Sequence, residues 1–440
     1  MSVLVVGGGW AGLAAAVELA HRGRQVTLIE ATPTLGGRAR SITHKLGCLD
    51  NGQHILLGAY RQVLYLLEKI GVDSHQVFRR GPLKLNIRSR HYPDFRLNTP
   101  LLPAPWHLFF AVANANGISR LEKTSMLKFA FQLRTKSDGG VSDQSVRRWL
   151  VESGQTKKLI SLFWAPLCIA ALNTPAHIAS SQLFAHVLRL ALLRRRTDSD
   201  LLLPTRDLGE ILPIPAEKYL VGAGCQLVYK QRVTGLQIQD GKVLGVHTDS
   251  KTFNADQVIV ATSSKTALRL LEPHSQLAST YRAISNIHAL PIYTAYLQYS
   301  QQTTLKRDML GLHGYTSEWL FDRGRLTGQC GMITSVISAA EHYTSIGKNE
   351  IIRSIIDELA TLYPSWPPVL ETALIRESEA AFTAEVDIMD KLPRSTTPIN
   401  GLWLAGDYTR TYLPATLESA VTSGINCSNA ILKDNDYDSR

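Results

Sequence analysis

The chain has 440 residues, of which 45% are apolar and 19% are charged, and its formal net charge is +10. At roughly 100 to 200 residues per domain, this composition predicts two or three folded domains and excludes a disordered or fibrous protein. The five cysteines stand singly with no C-x-x-C pair, so we expect no metal site, no disulfide framework and a reduced cytoplasmic setting.

The chain begins with a predicted strand, a glycine turn and a helix. Val3–Val6 is a short β-branched run, and Leu13–Arg22 is rich in alanine. The apolar run ends after four residues with no basic segment before it, so we predict no signal peptide. The turn between them matches G-x-G-x-x-G, in which the glycines permit a tight bend, close approach of a pyrophosphate and helix packing. The contacts expected from this turn are Gly7, Gly9, Trp10, Ala11 and Gly12.

A second predicted strand, Gln25–Ile29, ends at Glu30. An acidic residue at this place accepts hydrogen bonds from the ribose of a bound dinucleotide. The combination of strand, turn, helix and acid therefore predicts a dinucleotide site.

A second glycine turn follows, with Gly36, Gly37 and Arg38 in a Leu-Gly-Gly-Arg segment. A guanidinium here suits bidentate contact with a diphosphate. The order and spacing of these segments resemble the flavoprotein superfamily of amine oxidases and carotenoid desaturases. That resemblance implies FAD rather than NAD as the cofactor.

The segment Leu49–Tyr60 narrows the resemblance. It is similar to the signature of the squalene-associated flavoproteins, a family of hydroxysqualene dehydroxylases in bacterial hopanoid synthesis. The stretches Phe163–Leu167, Ala171–Pro175 and Leu203–Glu210 support the same subgroup. The resemblance covers nearly the whole chain.

The resemblance implies reductive removal of an allylic hydroxyl from a C30 isoprenoid lipid. Reduced FAD would give a hydride from N5, and an acid would protonate the hydroxyl, because hydroxide is a poor leaving group. The family places the loop after residue 49 near the flavin, so Asp50, Gln53 and His54 are candidates for proton delivery or hydroxyl orientation, and Asn51 and Gly52 for cofactor contact. His54 could equally bind the flavin or a backbone carbonyl.

The inserts between 71 and 200 and between 270 and 385 contain apolar aromatic stretches, compatible either with a lipid tunnel or with ordinary helical core. The uncharged runs at 97–119 and 159–188 are interrupted by proline and polar residues, so neither is expected to span a membrane. Arg194–Arg196 lies beside apolar sequence and no nucleic-acid module is visible, which makes nucleic acid an unexpected partner.

One segment of the first insert suits contact with a membrane surface. Pro105–Ala115 is predicted to be a short helix that is apolar almost all round. Shallow insertion next to basic side chains is typical of peripheral membrane proteins, which predicts a cytoplasmic protein on the inner membrane face. A buried core helix followed by a solvated basic face would also explain this sequence. The basic residues are Arg120, Lys123, Lys128, Arg134 and Lys136.

A third FAD segment is predicted in the middle of the chain. Strands are expected at 225–228, 232–239, 242–248 and 257–262, and the resemblance implies that Val233 makes backbone contacts near the adenine. Gly222-Ala223-Gly224 lacks the later glycine of a second fingerprint. We therefore expect no nicotinamide domain, and an external reductase or diffusing reduced flavin as electron donor.

The C-terminal segment completes the predicted cofactor site. Leu402–Asp407 is predicted as a strand ending in Gly406 and Asp407, and the final helix is predicted over Thr416–Leu432. The resemblance implies that Asp407 holds the ribityl chain and that the helix N-terminus faces the isoalloxazine, where its partial positive charge stabilises reduced flavin. We also expect contacts with FAD from Ala415, Thr416 and Leu417. After the loop candidates named above, the next catalytic candidates are Tyr408, Tyr412 and Glu418.

The predicted fold class is α/β: an FAD-binding Rossmann-like domain of the two-dinucleotide-fold type with an inserted mixed α+β substrate domain. The FAD-binding domain is predicted over 1–70, 203–268 and 386–440, and the substrate and membrane-facing domain over 71–202 and 269–385. Three alternatives to the dehydroxylase remain: a carotenoid or phytoene-type desaturase, an amine oxidase, and a non-catalytic flavin-binding protein.

Overall fold

The computed structural model describes residues 2–135 and 142–438. Lys136 of the predicted basic set lies outside the described residues, as do positions 1, 136–141 and 439–440 of the predicted domains. Within the described residues, the strands are β1 (Ser2–Val6), β2 (Gln25–Ile29), β3 (Ser41–His44), β4 (Gly47–Asp50), β5 (Leu56–Leu57), β6 (Phe78–Gly81), β7 (Lys84–Ser89), β8 (Phe95–Asn98), β9 (Leu201–Pro204), β10 (Gln226–Val228), β11 (Val233–Gln239), β12 (Lys242–Thr248), β13 (Thr252–Asn254), β14 (Gln257–Val260), β15 (Ala289–Gln298), β16 (Met309–His313), β17 (Trp319–Asp322), β18 (Met332–Ile337), β19 (Glu371–Phe382) and β20 (Leu402–Leu404).

The α-helices of the same residues are α1 (Trp10–His21), α2 (Arg61–Lys69), α3 (Ser74–Val77), α4 (Trp106–Ala113), α5 (Arg120–Thr135), α6 (Val146–Glu152), α7 (Lys157–Leu159), α8 (Ala165–Leu172), α9 (Ser181–Leu188), α10 (Leu208–Ile211), α11 (Pro213–Gly222), α12 (Ser264–Leu271), α13 (Ala278–Ser285), α14 (Arg323–Thr327), α15 (Lys348–Leu362), α16 (Ile388–Lys391) and α17 (Leu417–Asp438). No helix in the described part of the chain combines the length and the apolar character needed to cross a bilayer.

A parallel sheet contains the strands that the sequence predicts for a dinucleotide fold. Its order is β10, β2, β1, β14, β20. Val5 and Ile259, which pair across β1 and β14, are fully buried, because a parallel sheet is covered on both faces. The connection from β1 leads to β2 on one side while β14 lies on the other, and ligands bind at such a switch point, outside the carboxyl ends of the strands.

Helices α1 and α17 pack against each other beside this sheet. A Cβ on Gly424 would strike the carbonyl oxygen of Ala11, so the two helices approach closely. This contact joins the two ends of the chain, and it places the N-terminal ends of both helices near the same edge of the sheet.

The two inserts meet in a second sheet with the order β19, β15, β18, β17, β16, β7, β8. Its neighbouring strands are antiparallel except for β7 and β16. This mixed sheet and the parallel sheet confirm the predicted fold class, a Rossmann-type FAD-binding fold with an inserted substrate domain. The exact domain limits stay a prediction.

Candidate functional site

A cavity of about 520 Å³ extends from the glycine turn after β1 to one face of the seven-stranded sheet. The predicted site residues that line it are Gly7, Gly9, Trp10, Ala11, Glu30, Gly36, Gly37, Arg38, Asn51, Gly52, Gln53, His54, Val233, Gly406, Asp407, Ala415, Thr416 and Leu417. The predicted ones that do not contribute to its described lining are Gly12, Asp50, Tyr408, Tyr412 and Glu418.

The first glycine turn is shaped by close packing at one end and by open space in the middle. A Cβ on Gly12 would strike the carbonyl oxygen of Gly7, so helix α1 needs a glycine there to approach β1. At Gly9, in contrast, a Cβ would meet only the Cα of Gly37, at 3.8 Å, among the described residues. Packing does not require a glycine at position 9, which fits the close approach of a pyrophosphate at a helix N-terminus.

Glu30 ties this turn to the end of β2. One carboxylate oxygen accepts a hydrogen bond from the Gly8 N–H at 2.7 Å, and the other accepts from the Thr32 N–H and hydroxyl, both at 2.8 Å. The Trp10 indole donates to the carbonyl of Ala39 at 3.0 Å, which holds the second glycine turn against helix α1. The acid and both turns therefore form one preorganised edge of the cavity.

Arg38 and Asp407, predicted to contact the diphosphate and the ribityl chain, bind each other across the cavity. The guanidinium lies 2.5 Å from an Asp407 carboxylate oxygen, and it also donates to the carbonyls of Glu379 and Ala380 at 2.8 and 3.0 Å. The Asp407 carboxylate raises the pKa of Arg38, so the guanidinium remains charged. The pair brings the second glycine turn to the end of β20.

The final helix begins at the cavity. Thr416 accepts a hydrogen bond on its hydroxyl from the Ser419 N–H at 3.2 Å, which caps helix α17. With Ala415 and Leu417 it lines the cavity, so the positive end of the helix dipole faces the space where a flavin would be stabilised. Glu418 points elsewhere and accepts hydrogen bonds from the N–H groups of Gln62 and Val63 at 2.9 and 3.0 Å.

The loop from Asn51 to His54 supplies polar side chains to the cavity lining next to the seven-stranded sheet. Asn51 donates to the Arg38 carbonyl and to Glu377, both at 3.0 Å. His54 Nδ1 lies 2.8 Å from the Gly52 carbonyl and burial lowers the pKa of the imidazole, so the ring is neutral with the proton on Nδ1. The side-chain oxygen of Gln53 is buried and has no hydrogen-bond partner among the described residues. An unpartnered buried acceptor at this place fits a bound polar ligand.

Asp50 is held away from the cavity lining. Its carboxylate accepts from the Leu208 N–H at 2.8 Å and lies 3.3 Å from the Arg323 guanidinium. Burial raises its pKa to about 6, against the opposing effect of Arg323. Tyr408 is buried with its hydroxyl unpartnered within the described residues, and Tyr412 is 59% exposed. The catalytic roles of these residues stay predictions.

The sequence did not predict which residues form the cavity wall at the seven-stranded sheet, which we call the floor. The floor is one face of the central strands β15, β17 and β18, where register sets Thr294, Val336 and Trp319 side by side. Alternate positions on each strand face the cavity, and this period of two is the signal that could have identified them. The floor residues are Ile292, Thr294, Trp319, Phe321, Val336 and Ser338, and the helix residues Ile169, Ala170 and Ala171 add a further apolar wall.

Comparisons with known proteins bear on this site. The sequence model of the flavin containing amine oxidoreductases matches residues 10–432. The chain is 28% identical to the hydroxysqualene dehydroxylase of Zymomonas mobilis subsp. mobilis, over 97% of this chain and 98% of the relative. It is 24% identical to a chloroplastic/chromoplastic 15-cis-phytoene desaturase from an Oncidium hybrid cultivar, over 99% and 78%. A crystal structure of an oxidoreductase from Methanosarcina mazei superposes with a TM-score of 0.77 at 16% identity, over 98% of this chain and all of that one, and supports the fold alone.

Proposed function

Because the chain belongs to the flavin containing amine oxidoreductase family and is an FAD-dependent oxidoreductase, we propose that it converts hydroxysqualene to squalene for the synthesis of hopanoids or related triterpenoids. The observation that carries this proposal is the cavity itself, which joins a dinucleotide cradle to an apolar sheet face. The similarity to a hydroxysqualene dehydroxylase over nearly the full length of both chains supports it.

Three separate segments would hold the FAD. The first glycine turn and Glu30 suit the adenosine and diphosphate, Val233 the adenine, and the N-terminus of α17 the flavin end. When bound and reduced, FAD supplies the hydride of the reaction.

The reaction exchanges a hydroxyl group for a hydrogen on an allylic carbon. The C–O bond breaks, the hydroxyl leaves as water after taking up one proton, and the allylic carbon accepts one hydride. The chain has to bind the hydroxyl, exclude bulk water and deliver the proton. His54 and Gln53 line the cavity and are the proposed residues for orienting the hydroxyl, whereas the carboxylate of Asp50 is engaged by Arg323.

A carotenoid-type desaturase is the second candidate. Phytoene desaturases are similar to this chain over 99% of its length, and an apolar floor would accept a C40 hydrocarbon equally well. An amine oxidase is less favoured, because the floor consists mainly of Ile292, Trp319, Phe321 and Val336, and the carboxylate that this sheet adds to the described lining, that of Glu377, accepts a hydrogen bond from the Asn51 amide at 3.0 Å and is not a free counter-charge. A substrate amine would be protonated and would need such a counter-charge.

The proposal includes two partners outside the chain. An external reductase or reduced flavin supplies electrons. The bilayer at the inner face of the cytoplasmic membrane supplies the lipid through a surface of exposed aromatic side chains on α4, of which Trp106 is 56% exposed and Phe109 and Phe110 are each 42% exposed.

The test is an anaerobic single turnover. The holoprotein is photoreduced, mixed with hydroxysqualene in detergent, and followed by flavin reoxidation and by lipid product analysis. We expect reoxidation with formation of squalene, and little flavin reduction when NADPH is the only reductant. If the reduced flavin does not react but the oxidised enzyme desaturates phytoene, the desaturase replaces the dehydroxylase.

A further inference from the structure

The apolar floor of the cavity contains a hydroxyl group at its centre. Thr294 lies on β15, where it pairs with Val336 of β18 on one side and with Ile375 of β19 on the other. The residue is 1% exposed to solvent. Its neighbours on the same face of the sheet, Ile292 of β15 and Val336 of β18, are apolar. In the described part of the chain, the Thr294 hydroxyl makes no hydrogen bond to another residue.

This hydroxyl borders the same small space as His54. A Cβ built on Gly52 would lie 3.7 Å from Thr294 Oγ1 and also 3.7 Å from His54 Cε1. The missing side chain of Gly52 therefore leaves room between the two polar groups, beside a sheet face that is mostly apolar.

The two groups have complementary hydrogen-bonding capacities. His54 uses Nδ1 on the Gly52 carbonyl, so Nε2 is left as an acceptor. The Thr294 hydroxyl can donate. A substrate hydroxyl donates one hydrogen bond and accepts others, so it matches this pair, whereas a hydrocarbon chain would leave both groups unpaired.

We infer that Thr294 binds the hydroxyl group of the isoprenoid substrate opposite His54, and thereby selects a hydroxylated chain over a hydrocarbon of the same length. The inference rests on the proposed function, since it specifies how that reaction would position its leaving group. Thr294 is then a specificity-determining residue, distinct from the source of the proton.

The test compares two lipids that differ by one hydroxyl, hydroxysqualene and squalene, in detergent with oxidised holoprotein. Binding is measured from the change in the flavin absorbance, and turnover by the single-turnover assay. Thr294→Val removes the hydroxyl at nearly constant volume, and Thr294→Ser restores it. Thr334→Val is the matched control, because Thr334 is on the neighbouring strand β18, fully buried, unpartnered within the described residues and absent from the described cavity lining.

We expect Thr294→Val to raise the Kd for hydroxysqualene about tenfold, the effect of losing one buried hydrogen bond, with little change for squalene. Thr294→Ser should keep most of the preference, and Thr334→Val should behave as the parent. Equal Kd values for hydroxysqualene in Thr294→Val and Thr334→Val would overturn the inference, as would a parent protein that binds both lipids equally.

The two readouts separate this inference from the proposed reaction. Preferential binding of hydroxysqualene that depends on Thr294, without formation of squalene, would support the inference and reject the reaction. Formation of squalene at an unchanged rate and Kd in Thr294→Val would support the reaction and reject the inference.

Discussion

Glu418 is a buried carboxylate beside the cavity whose hydrogen bonds go to a neighbouring helix. It accepts from the N–H groups of Gln62 and Val63, in the first turn of α2, where the helix has no intrahelical partners for these donors. Burial raises its pKa from 4.5 to about 7, although these bonds oppose the rise. The residue therefore caps α2 and gains a proton more easily in the folded protein than in the unfolded chain.

This pKa shift predicts a loss of stability with rising pH. Because the folded pKa is raised, the contribution of Glu418 is fully present below about pH 4.5 and is lost as the pH rises through about 7. Relative to Glu418→Gln, which does not titrate, the parent should lose up to about 3 kcal/mol over this range. Thermal unfolding midpoints of both holoproteins between pH 5 and 8 measure it. A constant difference in midpoint across the range would contradict the raised pKa.

At this scale the sequence predicts a position in the cavity lining better for residues of one local turn than for residues whose partners are far away in the chain. Gly7, Gly9 and Gly12 act within one turn, so their spacing carries the information. Asp50 also belongs to a short sequence motif, the segment Leu49–Tyr60, but its partner Arg323 comes from a distant part of the chain. Residue type alone could not indicate that this carboxylate binds a guanidinium instead of lining the cavity.

Helix α4 is an element whose existence the sequence predicted but whose burial it left open. The sequence predicted an apolar helix over 105–115 and left open whether it is buried, and the structure has it over Trp106–Ala113 with one face in the core. His107, Ala111 and Val112 are buried, whereas Trp106, Phe109 and Phe110 are exposed and contact one another edge to face. An exposed aromatic cluster of this kind indicates an interaction surface.

The exposed side chains of the next helix, α5, support a bilayer as the proposed partner of this surface. On α5, Leu121 is 83% exposed and Phe131 is 68% exposed, near the exposed cations Arg120, Lys128 and Arg134. Apolar side chains next to basic ones favour shallow insertion between anionic headgroups. The buried side of α4 belongs to the same hydrophobic core as α8, whose residues 169–171 line the cavity, so one core connects the helix that carries this surface to the cavity wall.

We predict that the triple change Trp106→Ser, Phe109→Ser and Phe110→Ser abolishes flotation with vesicles of phosphatidylcholine and phosphatidylglycerol, while FAD content and turnover in detergent are kept. Its matched control carries serine at Ile214 and Val221 of α11 and at Leu370 just before β19, which are at least as exposed as the three aromatic residues. High salt should weaken binding of the parent, because part of the attraction is electrostatic. Flotation of the triple variant to the same extent as the control would reject this surface.

The strands that form the floor were not predicted from the sequence. The strands β15, β17 and β18 pair in register only in the folded chain, and Thr294, Trp319 and Val336 are brought together from three separate segments. The parallel sheet was predictable because its strands are short buried runs with turn signals next to them. The local signal of the floor strands is their period of two, and this signal does not indicate which strands pair with one another.

At the scale of the whole molecule, one buried arginine joins segments that are far apart in the chain. Arg323 is 1% exposed and begins helix α14, directly after strand β17 of the seven-stranded sheet. Its guanidinium contacts Asp50 at 3.3 Å, Asp207 at 2.8 Å and the side chain of Gln329. Asp50 and Asp207 belong to two different segments of the predicted FAD-binding domain. The guanidinium, moreover, lies over the ring of Tyr296, whose hydroxyl donates to the Asp50 carbonyl.

Removing this arginine should therefore destabilise the packing of these segments against one another. Arg323→Met leaves the buried carboxylate of Asp50 and the partly buried carboxylate of Asp207 without their cation, and breaking a buried ion pair costs about 3–5 kcal/mol. The matched control is Arg325→Met, since Arg325 pairs with Asp308 near the surface at 3.0 Å, where a salt bridge contributes less than about 1 kcal/mol. Adding Asp50→Asn to Arg323→Met should restore part of the loss, because it removes one unpaired charge. Thermal unfolding midpoints measured with saturating FAD test this ranking, and equal midpoints for Arg323→Met and Arg325→Met would contradict a stabilising role of the ion pairs of Arg323.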